Sequence, residues 1–587
     1  MTYGAIPLPG GGVRFRVWAP NVRTLSVKIG TRVFPMTRAG EDFEVTIPEA
    51  HPGQRYFLVL DESRERPDPV SRSQPGGVQG PSEIVDPDSF AWSDTNWTGI
   101  PLADYILYEL HTGTFTPEGT FESAIAKLPY LKQLGITAIE LMPVAEFPGS
   151  RNWGYDGVDL YAPHSAYGGP AGLKKLIDAC HREGLTVVLD VVYNHIGPEG
   201  NYLAEFAPYF TDRYRTPWGQ AINFDGPASD GVRRFIIENA LYWLTEYHID
   251  ALRLDAIHGI FDFSALHILA ELSQRFHDEA SRLGRQAWLI AESDLNDVRV
   301  IRPRETGGHG LDAQWHDEFH HSLLSYLTRA GHGFLAGFGR LEHIQKAITQ
   351  GFVYDGIYSP CRHRRFGNSS AAEPGDKFVA FIQNHDQIAN TCKGQRLTQR
   401  ASSEQHKLAA ALLLCSPYIP LLFMGEEFAD PGPFLYFTSH TDPALARAVS
   451  EGRRNEHGED FPDPQSEQAF KKSKITWPSL QQPRHAAMRR FYSDLIALRK
   501  RYKCLSNCRK DLTQVEINEE AGWLKLERRD ASGERALLIC NFASTPLAID
   551  LPGWQPTLQT VSTPIPSAIA AQSAALYLRS SAFIRGQ

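Results

Sequence analysis

Hydrophobic and polar positions alternate over the first part of the chain, in short runs bounded by Gly, Pro and Asn. The runs are VRFRVWAP (13–20), TLSVKIG (24–30), FEVTIP (43–48) and RYFLVL (55–60). Alternation with a period of two is typical of half-buried strands. The pattern therefore predicts a small N-terminal β-sandwich, similar to a carbohydrate-binding module, over residues 1–97. Its last part is a Pro-, Gly- and Ser-rich boundary loop.

From residue 98 onward, near-continuous apolar runs alternate with segments of helical periodicity. Eight runs follow one another: YILYELH (105–111), ITAIELMPV (136–144), TVVLDVV (186–192), ALRLDA (251–256), AWLIAES (287–293), LDAQWHDE (311–318), FVAFIQNHD (378–386) and IPLLFMGEE (419–427). Strands that are apolar on both faces and alternate with helices indicate a parallel sheet covered by helices. We therefore predict an α/β fold, a (β/α)8 TIM barrel over residues 98–502, in which the sixth strand is the weakest. Short alternating runs over residues 503–587 predict a C-terminal β-sandwich.

Composition and charge indicate which partners and which cellular location to expect. The chain has 587 residues, a formal net charge of −9 and a sequence pI near 6.2. This mild acidity gives no electrostatic reason to bind nucleic acid or an anionic membrane. The seven cysteines are scattered, no metal-ligand pair accompanies Cys504 and Cys508, and the first residues lack the pattern of a signal peptide. We predict a cytoplasmic protein with no nucleic-acid partner and no membrane partner.

Acidic residues and histidines stand at or near the ends of most of these runs. They are His111, Asp190, Asp255, Glu292, Asp386 and Glu426. The carboxyl ends of barrel strands build the active site in this fold, and a buried carboxylate is costly without a partner or a task. Asp255 and Glu292 end neighbouring strands, which lie roughly 4.8 Å apart. Two carboxyls at that spacing can flank one glycosidic bond, as retaining glycosidases require. Asp386, predicted at the end of the seventh strand, reaches the same pocket.

The surroundings of the three carboxyls suggest different roles. Arg253 lies two residues before Asp255, hence on the same face of a strand, and its charge favours the ionised form that a nucleophile needs. Glu292 follows the apolar run WLIA, which would raise its pKa and keep it protonated as an acid. Asp386 stands beside His385, and a fixed carboxylate can stabilise an oxocarbenium-like transition state.

Four short segments occur in a fixed order: DVVYNH (190–195), DALRLDAIH (250–258), IAES (290–293) and QNHD (383–386). They resemble the signature regions of the α-amylase superfamily, glycoside hydrolase family 13. The resemblance implies that Asp255 is the nucleophile, Glu292 the acid/base and Asp386 the stabiliser of the transition state. It also implies sugar contacts or site support for Tyr155, Asp190, Asn194, His195, Arg253 and His385.

Longer stretches resemble the trehalohydrolase group of that family. They include AESDLND (291–297), WHDEFHHSLLSYLT (315–328), YSPCRHRRFGNSS (358–370) and MGEEFADPGPFLYFTSH (424–440), although His316 stands where Asn is usual. The resemblance implies hydrolysis of the α-1,4 bond between a maltooligosyl chain and a terminal trehalose, a reaction that needs no cofactor. Some relatives bind calcium, but no Asp-, Asn- and Gly-rich loop of the EF-hand type occurs in this sequence, so we predict no metal. It also implies a functional partner, maltooligosyltrehalose synthase. His258 is a candidate for the trehalose side, and the segment around Glu318 is a weaker one.

Other interpretations stay open at this point. A glycogen branching enzyme would use the same triad with a sugar hydroxyl as acceptor, and a debranching enzyme would cut α-1,6 bonds. A non-catalytic glycan-binding protein with a decayed barrel is a third alternative, which the intact triad disfavours. Single strand-end residues can also be structural. A strand-end Asp is often a helix N-cap, and His111 and Glu426 keep such a structural alternative.

Overall fold

A computed structural model describes residues 2–331, 333–391, 393–561 and 567–579. Its first part contains two antiparallel sheets. One has the strands Gly4–Pro7, Val13–Trp18, Asp42–Ile47 and Thr37–Ala39; the other has Arg32–Pro35, Leu25–Ile29, Arg55–Leu60 and Arg64–Arg66, with Ser82–Glu83 beside Arg55–Leu60. Three of the four predicted runs contain one of these strands, and the run 43–48 covers all but the first residue of Asp42–Ile47. Alternate residues such as Val13, Phe15 and Val17 are buried between the sheets, which explains the period of two.

Eight parallel strands form a closed barrel after this region. They are β1 (Leu107–Leu110), β2 (Ala138–Leu141), β3 (Thr186–Val191), β4 (Ala251–Leu254), β5 (Trp288–Ala291), β6 (Ala313–Trp315), β7 (Phe378–Phe381) and β8 (Ile419–Phe423). Strands pair in this order, and β8 closes on β1. The predicted (β/α)8 barrel is confirmed, and β6 is its shortest strand.

Helices surround the barrel between most strands. They include Phe121–Ile125 and Leu128–Leu134 after β1, Gly169–Glu183 after β2, Ser229–Glu246 after β3, Ile268–Leu283 after β4, Asp317–Thr328 and Leu341–Thr349 after β6, Ser403–Cys415 after β7, and Pro443–His457, Glu467–Lys472 and Pro483–Arg501 after β8. Between β5 and β6, where every residue is described, the chain forms only two 3-10 turns, Val298–Val300 and Arg304–Thr306. Pro303 and the pair Gly307 and Gly308 oppose a helix there.

The interior of the barrel has an apolar floor and a polar upper layer. The floor includes Leu107, Ala138, Val188, Ala251 and Ile290, all buried in one cluster. Side chains on a strand return to the same face every second residue. The next inward positions on these five strands are therefore Glu109, Glu140, Asp190, Arg253 and, just past the end of β5, Glu292. This periodicity places the ionisable residues together at the carboxyl ends of the strands.

A buried network ties the segment before β1 to the outside of the barrel. His181 Nδ1 lies 2.7 Å from Asp94 Oδ2, and its Nε2 lies 3.0 Å from Asp250 Oδ2. Trp97 donates to Asp250 over 2.7 Å and stacks on the His181 ring. Burial would lower the pKa of His181, but the two carboxylates outweigh it and raise the pKa. The network thus fixes the boundary loop by charge as well as by packing.

The last part of the chain forms a five-stranded antiparallel sheet in the order Thr513–Asn518, Trp523–Arg529, Arg535–Asn541, Ser573–Arg579, Gln555–Gln559. A short ladder, Leu547–Ala548 with Ala568–Ile569, packs on it through a small apolar cluster. The domain limits predicted at 97 and 502 stay predictions. Six cysteines are free, and Cys392 lies outside the described residues. No helix within the described ranges is long and apolar enough to cross a membrane.

Candidate active site

Arg253, on β4, is the centre of the polar layer and is fully buried. Its Nη1 donates to Asp190 Oδ2 over 2.8 Å and to Asp255 Oδ1 over 2.8 Å. Its Nη2 lies 3.0 Å from Glu292 Oε2. The guanidinium also stacks on Trp315, with its central carbon 4.1 Å from a ring centroid. One cation therefore joins the carboxyl groups carried by β3, β4 and β5.

Asp255 is the first residue after β4, and its carboxylate is held on both oxygens. Oδ1 accepts from Arg253, and Oδ2 accepts from Asn194 Nδ2 over 2.6 Å. The next residue, Ala256, has a left-handed backbone with φ of 37°, which costs a non-glycine residue about 1–2 kcal/mol. This conformation directs the Ala256 N–H to Glu292 Oε2 over 2.7 Å. The turn after β4 thus fixes both carboxyls at once.

Glu292 is the first residue after β5. Burial raises the pKa of Glu292, although Arg253 opposes the rise. This is the direction expected from the apolar run before it, and a carboxyl with a raised pKa is suited to donate a proton. Asp190, on β3, is also affected by burial, which raises its pKa to about 7 against the opposing charge of Arg253.

The prediction that Asp386 ends the seventh strand is wrong. Strand β7 ends at Phe381, and Asp386 lies in the first turn of a short helix, His385–Ala389. Asn384 has an extended backbone and caps this helix by accepting from Gln387 N over 2.8 Å, so the chain leaves the barrel before Asp386. The helix still carries the Asp386 carboxylate to 3.5 Å from His385 Nε2.

Tyr155 reaches the site from the loop after β2. Its hydroxyl donates to Asp190 Oδ2 over 2.6 Å and lies 2.9 Å from His385 Nε2, and its ring stacks on His385 with centroids 5.3 Å apart. The preceding Gly154 has φ of 110°, and a Cβ there would lie 2.1 Å from Pro143 O. Only glycine suits that position, so the sequence NWGYD determines where Tyr155 stands.

His195 and His258 also lie close to these groups. His195 Nε2 is 2.9 Å from Tyr155 O, and the ring packs parallel to Trp218 with centroids 4.8 Å apart. His258 lies in the turn Ile257–Gly259, accepts from Asp294 N over 3.3 Å and acts electrostatically on Glu292. The structure therefore brings all eight predicted catalytic and substrate-binding residues to one end of the barrel, with His258 at the edge.

His111 and Glu426 lie near this region but have structural partners. His111 Nε2 is 2.8 Å from Asn152 O, and burial lowers the pKa of His111 to about 3, which keeps the ring neutral. Glu426 accepts from Tyr492 and Gln383, over 3.0 Å and 3.2 Å. These contacts favour the structural alternative for both residues.

A cavity lies beside Ser293, the residue that follows Glu292. Its lining includes Ser293, Asp294, Trp315, Asp317, Glu318, Phe334 and Arg362. Burial raises the pKa of Asp317 to about 8, and the charges of Glu292, Asp294 and Asp386 add to the effect. The Glu318 carboxylate accepts from the amides of Val353 and Tyr354. Glu318 thus holds a loop as well as lining the cavity.

Sequence reasoning did not single out Asp317, Glu109 or Glu140. The predicted sixth run, 311–318, includes Asp317, but this residue begins the helix Asp317–Thr328. Glu109 and Glu140 stand inside apolar runs, at equivalent positions of the paired strands β1 and β2. An acidic residue inside a run predicted to be buried was the available signal, because such a residue requires a partner or a neutral form.

Residues 84–218 match the family described as Alpha amylase, catalytic domain. A curated Malto-oligosyltrehalose trehalohydrolase of Saccharolobus solfataricus is 47% identical over 86% of this chain and 88% of its own length. The chain belongs to the malto-oligosyltrehalose trehalohydrolase family. This membership makes it a glycoside hydrolase of the α-amylase family.

Two other matches place the trehalohydrolase family among its neighbours. A crystal structure titled putative alpha Amylase from Salmonella typhimurium superimposes with a TM-score of 0.92 at 40% identity, covering 99% of this chain and all of that one. A 1,4-alpha-glucan branching enzyme of Pseudoalteromonas atlantica is 26% identical over 93% of this chain and 75% of its own length. The alternative of a branching enzyme is therefore the more distant one.

Proposed function

We propose that this chain hydrolyses the α-1,4 bond between a maltooligosyl chain and a terminal trehalose, with Asp255 as nucleophile and Glu292 as acid/base. The observation that carries the assignment is the guanidinium of Arg253, which contacts Asp255 on one nitrogen and Glu292 on the other. So compact a pair is consistent with the separation of about 5–5.5 Å that retaining enzymes use. The identity of the substrate rests on the named relatives.

In the first step, the Asp255 carboxylate attacks the anomeric carbon of the reacting glucose. The bond from this carbon to the trehalose oxygen breaks, and Glu292 gives its proton to that oxygen. Arg253 and Asn194 aim the nucleophile because each holds one of its oxygens. Asp386 and Tyr155 flank the sugar, where a negative charge and an aromatic face favour an oxocarbenium-like transition state.

In the second step, water attacks the same carbon and the ester bond to Asp255 breaks. Glu292, now ionised, takes a proton from this water and returns to its acid form. Two inversions at one carbon leave the maltooligosaccharide in the α configuration. The positive charge of Arg253 stays beside Glu292 in both steps, and it stabilises the negative charge of Glu292 after this residue has given up its proton.

The cavity next to Glu292 is the proposed place for the trehalose unit. It adjoins the acid that protonates the leaving oxygen, and it combines carboxylates and the Arg362 guanidinium with the aromatic faces of Trp315 and Phe334. Polar groups of this kind bind hydroxyls, and aromatic faces pack against sugar rings. His258, which bonds to Asp294 at its border, is suited to the same side.

A product assay tests the function. Trehalose should be released from maltotriosyl-trehalose much faster than maltopentaose or amylose is cut. Asp255→Asn should abolish this release, and Glu292→Gln should reduce it at least about 10²-fold, as loss of an acid/base catalyst does. New α-1,6 branches in amylose without trehalose would indicate a branching enzyme instead.

The setting in the cell is part of the same proposal. The six free cysteines favour a reducing compartment such as the cytoplasm. A substrate with a trehalose end has to be made by an enzyme that converts the reducing end of an α-1,4-glucan. We therefore propose maltooligosyltrehalose synthase as a functional partner, one that needs no physical contact with this chain.

A further inference from the structure

His385 is held at both ring nitrogens in the polar layer. Its Nδ1 lies 2.5 Å from Glu109 Oε1, and its backbone N–H donates to Glu109 Oε2 over 3.1 Å. Its Nε2 lies 2.9 Å from the hydroxyl of Tyr155. Glu109 is on β1 and is 1% exposed, so water does not compete for the contact with the ring.

The direction of these hydrogen bonds determines the protons on the ring. Above the Asp190 pKa of about 7, this carboxylate only accepts, so the Tyr155 hydroxyl gives its proton to Asp190 Oδ2 over 2.6 Å. Its oxygen can therefore only accept from His385 Nε2. A carboxylate at Glu109 likewise only accepts, so Nδ1 must also carry a proton. A ring that donates at both nitrogens is an imidazolium.

We propose that Glu109 is a positioning residue for catalysis, which holds His385 as an imidazolium and thereby orients Tyr155 against the reacting sugar. The proposal deepens the function proposed above and rests on it. Glu109 does not touch the substrate in this account. It acts through His385, whose second N–H fixes the hydroxyl of the stacking tyrosine.

The charges around the ring agree with this assignment. Burial alone would lower the pKa of His385, but Asp386 and Glu109 outweigh it and raise the pKa to about 9. The charged or titratable groups that face or act on the ring are Glu109 from β1, Glu140 from β2, Asp190 from β3, Arg253 from β4, Tyr155 and His111 from loops, and Asp386 from its own helix.

Glu140 provides a matched control. It pairs with Glu109 in the register of β1 and β2 and is equally buried. Both of its carboxyl oxygens lack a hydrogen-bond partner among the described residues. Burial, then the charge of Glu109, raises the pKa of Glu140 well above its usual range. Glu140→Gln therefore removes no hydrogen bond and no charge, whereas Glu109→Gln removes the charge that holds His385.

The experiment combines NMR with kinetics. Protein labelled with ¹⁵N-histidine gives the protonation of each ring, and the His385→Asn variant identifies the His385 signal. The wild type should show a His385 imidazolium at pH 7.5. Glu109→Gln should make this ring neutral at the same pH and lower kcat at least about 10-fold, the lower end for a hydrogen bond to a charged group. KM should change less than kcat, and Glu140→Gln should keep kcat within about threefold.

Three results would overturn the proposal. They are a neutral His385 in the wild type at pH 7.5, an imidazolium that persists in Glu109→Gln with normal kcat, and an equal loss of kcat in Glu140→Gln. The first needs no variant, so a misfolded Glu109→Gln protein would not prevent the test. Failure of the wild type to release trehalose would refute the proposed function instead, and the NMR titration would still decide the state of His385.

Discussion

Replacing Arg253 with lysine keeps the positive charge at the centre of the site but removes its forked shape. In the structure Nη1 serves Asp190 and Asp255, and Nη2 lies 3.0 Å from Glu292. A lysine ammonium is a single point and can occupy the place of only one nitrogen. If the ammonium takes the place of Nη1, it keeps its contacts with Asp190 and Asp255, and the contact with Glu292 is lost.

The size of the effect follows from that one lost contact. Nη2 and Glu292 form an ion pair without hydrogen-bond geometry. We therefore use the lower end of the range for hydrogen bonds to charged groups, about 1.5 kcal/mol, so kcat should fall roughly 10-fold. Arg253 also opposes the rise in the pKa of Glu292. Without the nearby guanidinium the pKa rises further. Because the acid works when protonated, the alkaline limb of the kcat profile should move to higher pH.

The assay is the initial rate of trehalose release from maltotriosyl-trehalose across the pH range, with unfolding by denaturant in parallel. Arg528→Lys is the matched control, because Arg528 is also fully buried but contacts Cys415 O and Asn507 Oδ1 near the C-terminal sheet. It should lower the free energy of unfolding and leave the pH profile unchanged. A kcat within threefold of the wild type and an unmoved alkaline limb in Arg253→Lys would refute the reasoning.

Three further predictions concern other parts of the molecule. Asp386→Asn should reduce kcat by about 10²–10³ in single-turnover experiments, since it removes a preorganised charge. Because the side chain is 35% exposed, the free energy of unfolding should change little, and destabilisation large enough to explain the lower rate would contradict a catalytic role. Trp218→Ala should raise KM about 2- to 10-fold, because it removes a stacking contact with His195 of about 0.5–1.5 kcal/mol. A change in kcat alone would exclude a role of Trp218 in substrate binding. His181 has a raised pKa between Asp94 and Asp250, so its contribution to stability is full below the ordinary histidine pKa and is lost as pH rises through the raised value. The cost of His181→Asn, measured by denaturant unfolding, should therefore be larger at pH 6 than at pH 9, and an equal cost at both would contradict the charged pair.

The barrel could be predicted from the sequence because each strand is apolar on both faces. The run ALRLDA shows the rule well: Ala251 faces the floor, and Arg253 and Asp255 follow on the same face. Strand periodicity alone therefore predicts that Asp255 and Arg253 lie side by side. The same reasoning extended the seventh strand too far, because the N-cap at Asn384 ends the extended run and starts a short helix.

Other features depend on contacts between distant segments, which no local pattern carries. Asp317 lies near Glu292 and Asp386 only because three loops converge above the barrel. The partner of His385 is Glu109, which is 276 positions away in the sequence. The absence of a helix between β5 and β6 has a local signal in the sequence, because Pro303 and the glycines that follow it oppose helix formation.

The anomeric form of the first product tests the central claim most directly. Proton NMR during the first moments of maltotriosyl-trehalose hydrolysis resolves the α and β anomers of maltotriose before they equilibrate. With Asp255 as nucleophile and Glu292 as acid/base, α-maltotriose and trehalose should be released together and β-maltotriose should follow only by mutarotation. Initial release of β-maltotriose would mean direct attack by water, and it would contradict the assignment of Asp255 as the residue that forms the glycosyl-enzyme.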